Sequence, residues 1–375
     1  MKIFSLLSLV FLPVAASAET TLDPTLHLNV VGGISSAANP GDLASHAHDP
    51  NDDAALQGFD IGLNLRHDDW LAAIVNVNAF TTSKGDLDAE WEEAFAKLQN
   101  LPGGFELRAG RFQNRLGLQN HLHQHSWDFV NANLSIAQFL GEEALFTEGL
   151  ELTWLQKSDD TLFALTGSFG KAAEAGEDHG DDHGDDHGEH GSEKALFNEE
   201  LATVRALYSY NPNDFHHHNF GLNGAWGQNS YGNNRDTSLY SADSVYQWRE
   251  NGLESGGREF STGVEVFLRY VEWANDDGLN GKTSQNGFMV FGRYRFAEQW
   301  ITDLRYEELQ GREPAEEINL GEDRKRLSLA LTHEFEIAGW DSHARLQYSH
   351  DQLKDGTEDT VWLQFGFNFG EGEVR

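Results

Sequence analysis

Apolar and polar side chains alternate with a period of two through most of the chain. In the last such segment Val361, Leu363, Phe365, Phe367 and Phe369 share one face, and Gln364, Gly366 and Asn368 the other. Leu327, Leu329 and Leu331 likewise oppose Ser328, Ala330 and Thr332, and Val264, Val266 and Leu268 oppose Glu265 and Arg269. Period two is the signature of the β-strand. A soluble sandwich would bury the apolar set, whereas a transmembrane barrel turns it to lipid and turns the polar set to a wet lumen. Alternation does not separate these two folds, but connection lengths do. Long connections alternate with tight ones, such as Arg66 to Trp70, Leu101 to Gly104, Lys157 to Asp160 and Ala297 to Gln299. Long outer loops and short periplasmic turns are the pattern of an outer-membrane barrel. The prediction is an all-β fold, a transmembrane antiparallel β-barrel of about 16 strands (roughly 14–18). Aromatic residues near strand ends (Trp70, Phe80, Trp91, Trp154, Trp273, Trp300, Trp362) are expected to form interfacial girdles.

Composition narrows the setting. Lys2, the apolar run Ile3 to Val14 and the small residues Ala16-Ser17-Ala18 read as a secretory signal over residues 1–18, leaving 19–375 as the barrel. The absence of Cys excludes disulfides, thiolate zinc sites and Cys nucleophiles. With 61 acidic against 26 basic residues the formal charge is −35, which argues against a nucleic-acid partner and favours cations. The partners expected are therefore outer-membrane lipid, the barrel-insertion machinery and divalent metal ions.

Two loops carry candidate chemistry. Residues 113–145 hold Trp127, Phe129, Leu134 and Ile136, too apolar for a solvated tip, so this third long loop is expected to fold into the lumen as a constriction. Within it, extended backbone would put His121, His123 and His125 on one face at steps of roughly 6–7 Å. A helix would instead place His121 and His125 one turn apart, and Asp128 could complete an open metal site. Hydrogen bonding within a packed loop is the plain alternative. In the second loop, 170–199, His179, His183, His187 and His190 recur among glycines and acids such as Asp182 and Asp186. Such a run cannot bury a core and is expected to collect metal weakly through neutral imidazole. The glycines preclude a tight cage, so no firmly bound cofactor is expected, only weakly held Zn2+. His46 and His48 could join this collector, and His216-His217-His218 sits near a tight turn with its side chains alternating between faces. The lumen face is expected to carry Arg66, Arg108, Glu151, Arg205, Glu265, Arg269, Arg293, Arg305 and Glu334. Ser126 beside His125 and Asp128 is no indication of a triad, and no enzyme activity is expected.

Leu107-Arg108-Ala109-Gly110-Arg111-Phe112, Leu116-Gly117 and Gly149-Leu150-Glu151-Leu152 resemble the phosphate- and polyphosphate-selective porin superfamily. That resemblance implies a sixteen-stranded barrel assembled as a homotrimer. His48-Asp49-Pro50-Asn51, Asn120 to Asn131 and Phe139-Leu140-Gly141-Glu142-Glu143 look like uncharacterised outer-membrane proteins associated with zinc uptake. The acidic balance departs from the phosphate-selective members, so their anion preference is not carried over. The expectation is a passive porin for small hydrophilic solutes, with zinc as cargo. Alternatives are a general or oxyanion-permeable porin and a non-conducting, metal-binding surface barrel.

Overall fold

The computed structural model describes residues 19–37, 43, 49–50, 54–82, 85–140, 144–173, 196–254, 256–274, 279–310 and 323–370. The loop histidines His46, His48, His179, His183, His187 and His190, with Asp182 and Asp186, lie outside them, as does the signal segment. Sixteen strands form one closed antiparallel barrel. The first eight are β1 (Thr20–Ser35), β2 (Ala55–His67), β3 (Leu71–Thr81), β4 (Leu87–Leu101), β5 (Phe105–Gln113), β6 (Phe146–Lys157), β7 (Thr161–Ala173) and β8 (Glu200–Asn213). The second eight are β9 (His216–Asn229), β10 (Arg235–Arg249), β11 (Glu259–Ala274), β12 (Asn280–Ala297), β13 (Trp300–Gln310), β14 (Arg324–Ile337), β15 (Trp340–Leu353) and β16 (Gly356–Phe369). Each strand pairs with its sequence neighbours, and β1 closes on β16 with Leu26 opposite Phe369 and Ile34 opposite Val361. Closure leaves no unpaired edge, which is what allows a sheet to cross lipid.

Strand parity sorts the side chains. Leu63, Val75, Leu150, Leu222, Val266, Leu304, Leu329 and Leu363 are exposed on the outer surface and form its apolar belt. Asn64, Asn76, Glu151, Asn223, Glu265, Arg305, Ser328 and Gln364 are buried on the inner face. In a soluble protein that distribution would be inverted; here the outer solvent is hydrocarbon.

The girdle expectation needs a correction. Trp70, Trp91, Trp154 and Trp300 are exposed outward, but Phe80, Trp273 and Trp362 are buried. Those three share parity with Asn78, Arg269 and Gln364 and therefore point inward. Trp362 packs on Val31 and Val130, and Trp273 on Tyr231 and Val271. The outer aromatic positions near β9 are filled instead by Tyr210, His218, Phe220 and Tyr246, whose rings stack or tilt together.

A constriction loop clamped across the lumen

The connection from β5 to β6 runs inside the barrel. Its neck is stitched by two buried asparagines: Asn114 Nδ2 donates to Leu145 O (3.1 Å) and Thr147 Oγ1 (2.9 Å), and Asn120 Nδ2 donates to Asn114 O (2.8 Å). From that neck the loop reaches the wall at β1, β2, β3 and β4 on one side and at β8, β11, β12, β13 and β15 on the other. In the closed order of sixteen strands β3 and β11 are diametrically opposed, so the loop spans the lumen.

The histidine segment faces β1–β4. A single 3-10 turn, Gln124–Ser126, places His123 and His125 toward the wall. Asn76 Nδ2 lies 3.0 Å from His123 Nδ1. An amide N–H can only donate, so this nitrogen accepts and the ring proton sits on Nε2, which lies 3.2 Å from Glu93 Oε2. His125 Nδ1 lies 2.9 Å from Asp60 Oδ2, and its ring stacks on His27 at 3.6 Å between centroids. Between them Gln124 Oε1 accepts from Asn29 Nδ2 at 2.6 Å. His121 is half-buried one turn earlier. Thus His123 and His125 come together, with ring centroids 5.7 Å apart. Asp128 lies elsewhere, on Arg293 of β12. Among the described residues no three His, Asp or Glu side chains converge on a metal position.

The acidic residues of this wall escape a reading by alternation because β4 carries a bulge. Asn76 pairs with Glu93 while Val77 pairs with Trp91, which leaves Glu92 as an extra residue. Glu92 and Glu93 consequently both turn inward, at 3% and 2% exposure, while Trp91 stays in the lipid belt at 61%. Glu90 and Asp60 add further buried carboxylates. The legible signal is the break in alternation at Glu90-Trp91-Glu92-Glu93.

The opposite side is held differently. Helix α1 (Leu134–Leu140) lays Leu134, Ile136, Phe139 and Leu140 against inward apolar residues of the wall, notably Leu201, Leu239, Phe267 and Leu309. Asn133 Oδ1 accepts from Ser135 N (2.8 Å) at the helix start, and Arg269 donates to Gln138 O (2.6 Å) near its end. Gly287 lies beneath: a Cβ there would meet Ser135 Oγ at 2.2 Å and Phe139 Cε2 at 2.9 Å, so a larger residue would press on the helix.

The residues expected to line the pore all face inward, and they serve largely as clamps. Arg305 donates to Asn131 Oδ1 (3.0 Å), covers the Phe129 ring at 4.2 Å and pairs with Glu307 (2.9 Å). Arg205 reaches Gly117 O (3.3 Å) and Asp243 (2.8 Å), while Glu265 accepts from Leu118 N (3.0 Å). Arg108 pairs with Glu151 (2.7 Å) at the loop root, and Arg293 lies between Asp128 and Asp303. Arg66 pairs with Asp23 and Glu334 with Arg295, both away from the loop. Of the histidine triplet, His217 points inward beside Asn211, while His216 and His218 join Tyr246 outside.

A closed sixteen-stranded antiparallel barrel with an apolar belt and a loop folded into its lumen is the architecture of bacterial outer-membrane porins. Solved channels share it. The outer membrane channel DcaP of Acinetobacter baumannii has 12% identity, with 96% of this chain and 100% of that chain covered at a TM-score of 0.55. The trimer form of OmpT from Vibrio cholerae has 9% identity over 94% of this chain and all of that one, at 0.53. The anion-selective porin from Comamonas acidovorans has 10% identity over the same shares, also at 0.53. At these identities the likeness is one of fold. No family model matches the chain. A stretch of 64 residues is 41% identical to an uncharacterized protein of Aquifex aeolicus (strain VF5), spanning 17% of this chain and 13% of that protein.

Proposed function

We propose that the protein is a passive, water-filled outer-membrane channel for small hydrophilic solutes, without enzymatic activity, and that divalent cations, zinc first, are its cargo. The observation that carries the channel reading is the constriction loop, clamped to opposite walls of the barrel so that it narrows the lumen at a fixed place. Support for cations is the wall at β2–β4, where Glu92 and Glu93 lie against His123 and Asp60 against His125. Those imidazoles already have hydrogen-bonding partners, so a passing ion would exchange with them briefly, as permeation requires. The His/Asp-rich loop over residues 170–199 would raise the cation concentration at the mouth. Imidazole ligands weaken when protonated, so collection should fade below pH of about 6. We extend the trimeric assembly of the Vibrio barrel to this chain as a homotrimer in outer-membrane lipid.

A second reading, oxyanion permeation, is favoured by Arg293, Arg295 and Arg345 on the β12–β15 wall. Planar-bilayer recording separates the two. A cation channel shifts the reversal potential in a KCl gradient toward potassium, and deletion of residues 178–190 lowers zinc flux at micromolar zinc while sparing KCl conductance. Anion preference would remove the metal reading, and unchanged zinc flux would reduce the loop to a tether. A barrel that passes no current would be a surface metal binder.

A further inference from the structure

Three cavities follow one another along the β10–β12 wall on the tight-turn side of the constriction loop. The first, about 310 Å3, opens between the turns near Asp159, Asp214 and His217 and reaches Gln247 and Arg249. The second, about 100 Å3, shares Gln247 and Arg249 and is lined further by Glu259, Ser261, Arg293 and Arg295. The third, about 170 Å3, lies against the loop itself. Across it Leu122, Trp127 and Phe129 of the loop face Val245, Met289 and Phe291 of the barrel, and Gln119, Asp128 and Arg305 also line it.

The lining changes character within one step of the strands. On the lumen face of β10 the order is Val245, Gln247, Arg249, and on β12 it is Phe291, Arg293, Arg295. Residues two apart on a strand are about 6–7 Å apart, so the apolar cavity abuts the basic one directly. The apolar side chains further along the loop pack on the wall: Leu134, Ile136 and Phe139 in the helix cluster, Val130 on Val31 and Trp362. Trp127 and Phe129 instead front a cavity, and they are fixed there. Trp127 Nε1 donates to Leu122 O (3.0 Å), and Phe129 is pinned under Arg305 at 4.2 Å. Fixed rings around a mostly apolar recess with a few polar groups at its margin make a preformed site for an apolar group.

The basic cavity supplies the other end. Its lining holds Arg249, Arg293 and Arg295 with Glu259; Glu334 also pairs with Arg295 and Asp303 lies 3.3 Å from Arg293, which leaves Asp128 as the exposed, exchangeable partner of Arg293. At the junction Asp128 pairs with Arg293 while its own side chain remains 48% exposed. It occupies the position that a ligand carboxylate would take.

We propose that these two cavities form one amphipathic subsite, which holds an organic monoanion with its ring or branched apolar body against Trp127, Phe129 and Phe291. Its carboxylate lies at Arg293 and Arg295, displacing Asp128. The subsite goes beyond the channel reading and depends on it only for access. The test uses 3-phenylpropionate as the probe, acetate as its apolar-free counterpart, and single-channel KCl current as the readout. Phenylpropionate should interrupt the current in a concentration-dependent way that acetate does not match. Phe291→Ser should shorten the interruptions about tenfold, the effect of losing one buried apolar contact. Asp128→Asn should lengthen them, because the competing carboxylate is gone, and a merely structural Asp128 predicts no such gain. Equal interruption by both anions overturns the subsite. So do unaltered interruptions in Phe291→Ser and Val245→Ser channels that conduct like the parent. If the barrel passes no current, the channel reading fails, and calorimetry of phenylpropionate on the detergent-solubilised barrel decides the subsite: binding that weakens in Phe291→Ser supports it, and no binding overturns it.

Discussion

The two halves of the constriction loop sit in one lumen and are held by opposite kinds of force. From Gln119 to Ser126 the loop is held by directional partners: Asn29 on Gln124, Asp60 on His125, and Asn76 and Glu93 about His123. From Leu134 to Leu140 it is held by the burial of leucine, isoleucine and phenylalanine against inward apolar side chains of the wall. Hydrogen bonds to wall groups can be traded for bonds to water or a passing ion at little net cost. Apolar burial cannot be traded in that way, because the alternative is exposure to lumen water. The helix therefore sets where the constriction sits, and in the proposed channel the histidine segment would be the side that responds to a passing solute.

The largest effect should come from breaking the apolar half. Phe139→Asp puts a carboxylate among Leu201, Phe267 and Leu309; truncation of such a phenylalanine alone costs about 3–5 kcal/mol, and an unpaired buried charge adds to that. The helix should leave the wall, and single-channel conductance should rise several-fold while the barrel keeps its heat-modifiable mobility on gels. Unchanged conductance in a folded variant would show that the helix does not restrict flow.

The polar half should respond in selectivity before size. Glu92→Gln with Glu93→Gln keeps the bulge and the shape of the wall but removes two charges beside His123. Conductance should stay within about twofold, whereas the reversal potential in a salt gradient should move away from cations, most visibly at low ionic strength, where screening is weak. A reversal potential that does not move would place the cation path elsewhere.

The smallest effect lies outside both halves, at the β10–β11 turn. The Arg258 guanidinium, donating to both oxygens of Glu250 at 2.7 and 3.2 Å, holds that carboxyl down at about 2. A lowered folded value means that the contribution is complete above the ordinary carboxylate range and is lost as pH falls through about 2. Because the pair is fully solvated it should be worth little. Glu250→Gln should lower the melting temperature slightly at pH 7, and the gap should close toward pH 2. A gap that persists there would point to a contribution other than charge.

The barrel was legible because its rules are local. Parity places lipid and lumen faces, and tight turns alternate with longer connections along most of the chain, the short β15–β16 link and the longer β10–β11 one being exceptions. The inward loop was legible from Trp127, Phe129, Leu134 and Ile136, which have no place on a solvated tip. What held the loop was hidden. Val266-Phe267-Leu268 is apolar on both faces, so alternation could not mark Phe267 as part of an internal core. The bulge at Glu92 shifts parity by one residue and conceals an acidic wall. Asp60 lies 65 residues from His125, and Glu307 lies 173 residues from the Leu134 amide that it accepts; no short-range pattern encodes such pairs. Phe80, Trp273 and Trp362 look like girdle aromatics until strand phase is counted.

The seam between β1 and β16 is joined to the constriction loop as well as zipped strand to strand. Asn29 on β1 grips Gln124, Trp362 on β16 packs against Val130, and Gln347 on neighbouring β15 accepts from the Val130 amide. The first and last strands therefore meet around the middle of the chain. The loop is thus a brace for the seam as well as a constriction: its contacts tie together the two ends of the chain that closure brings side by side.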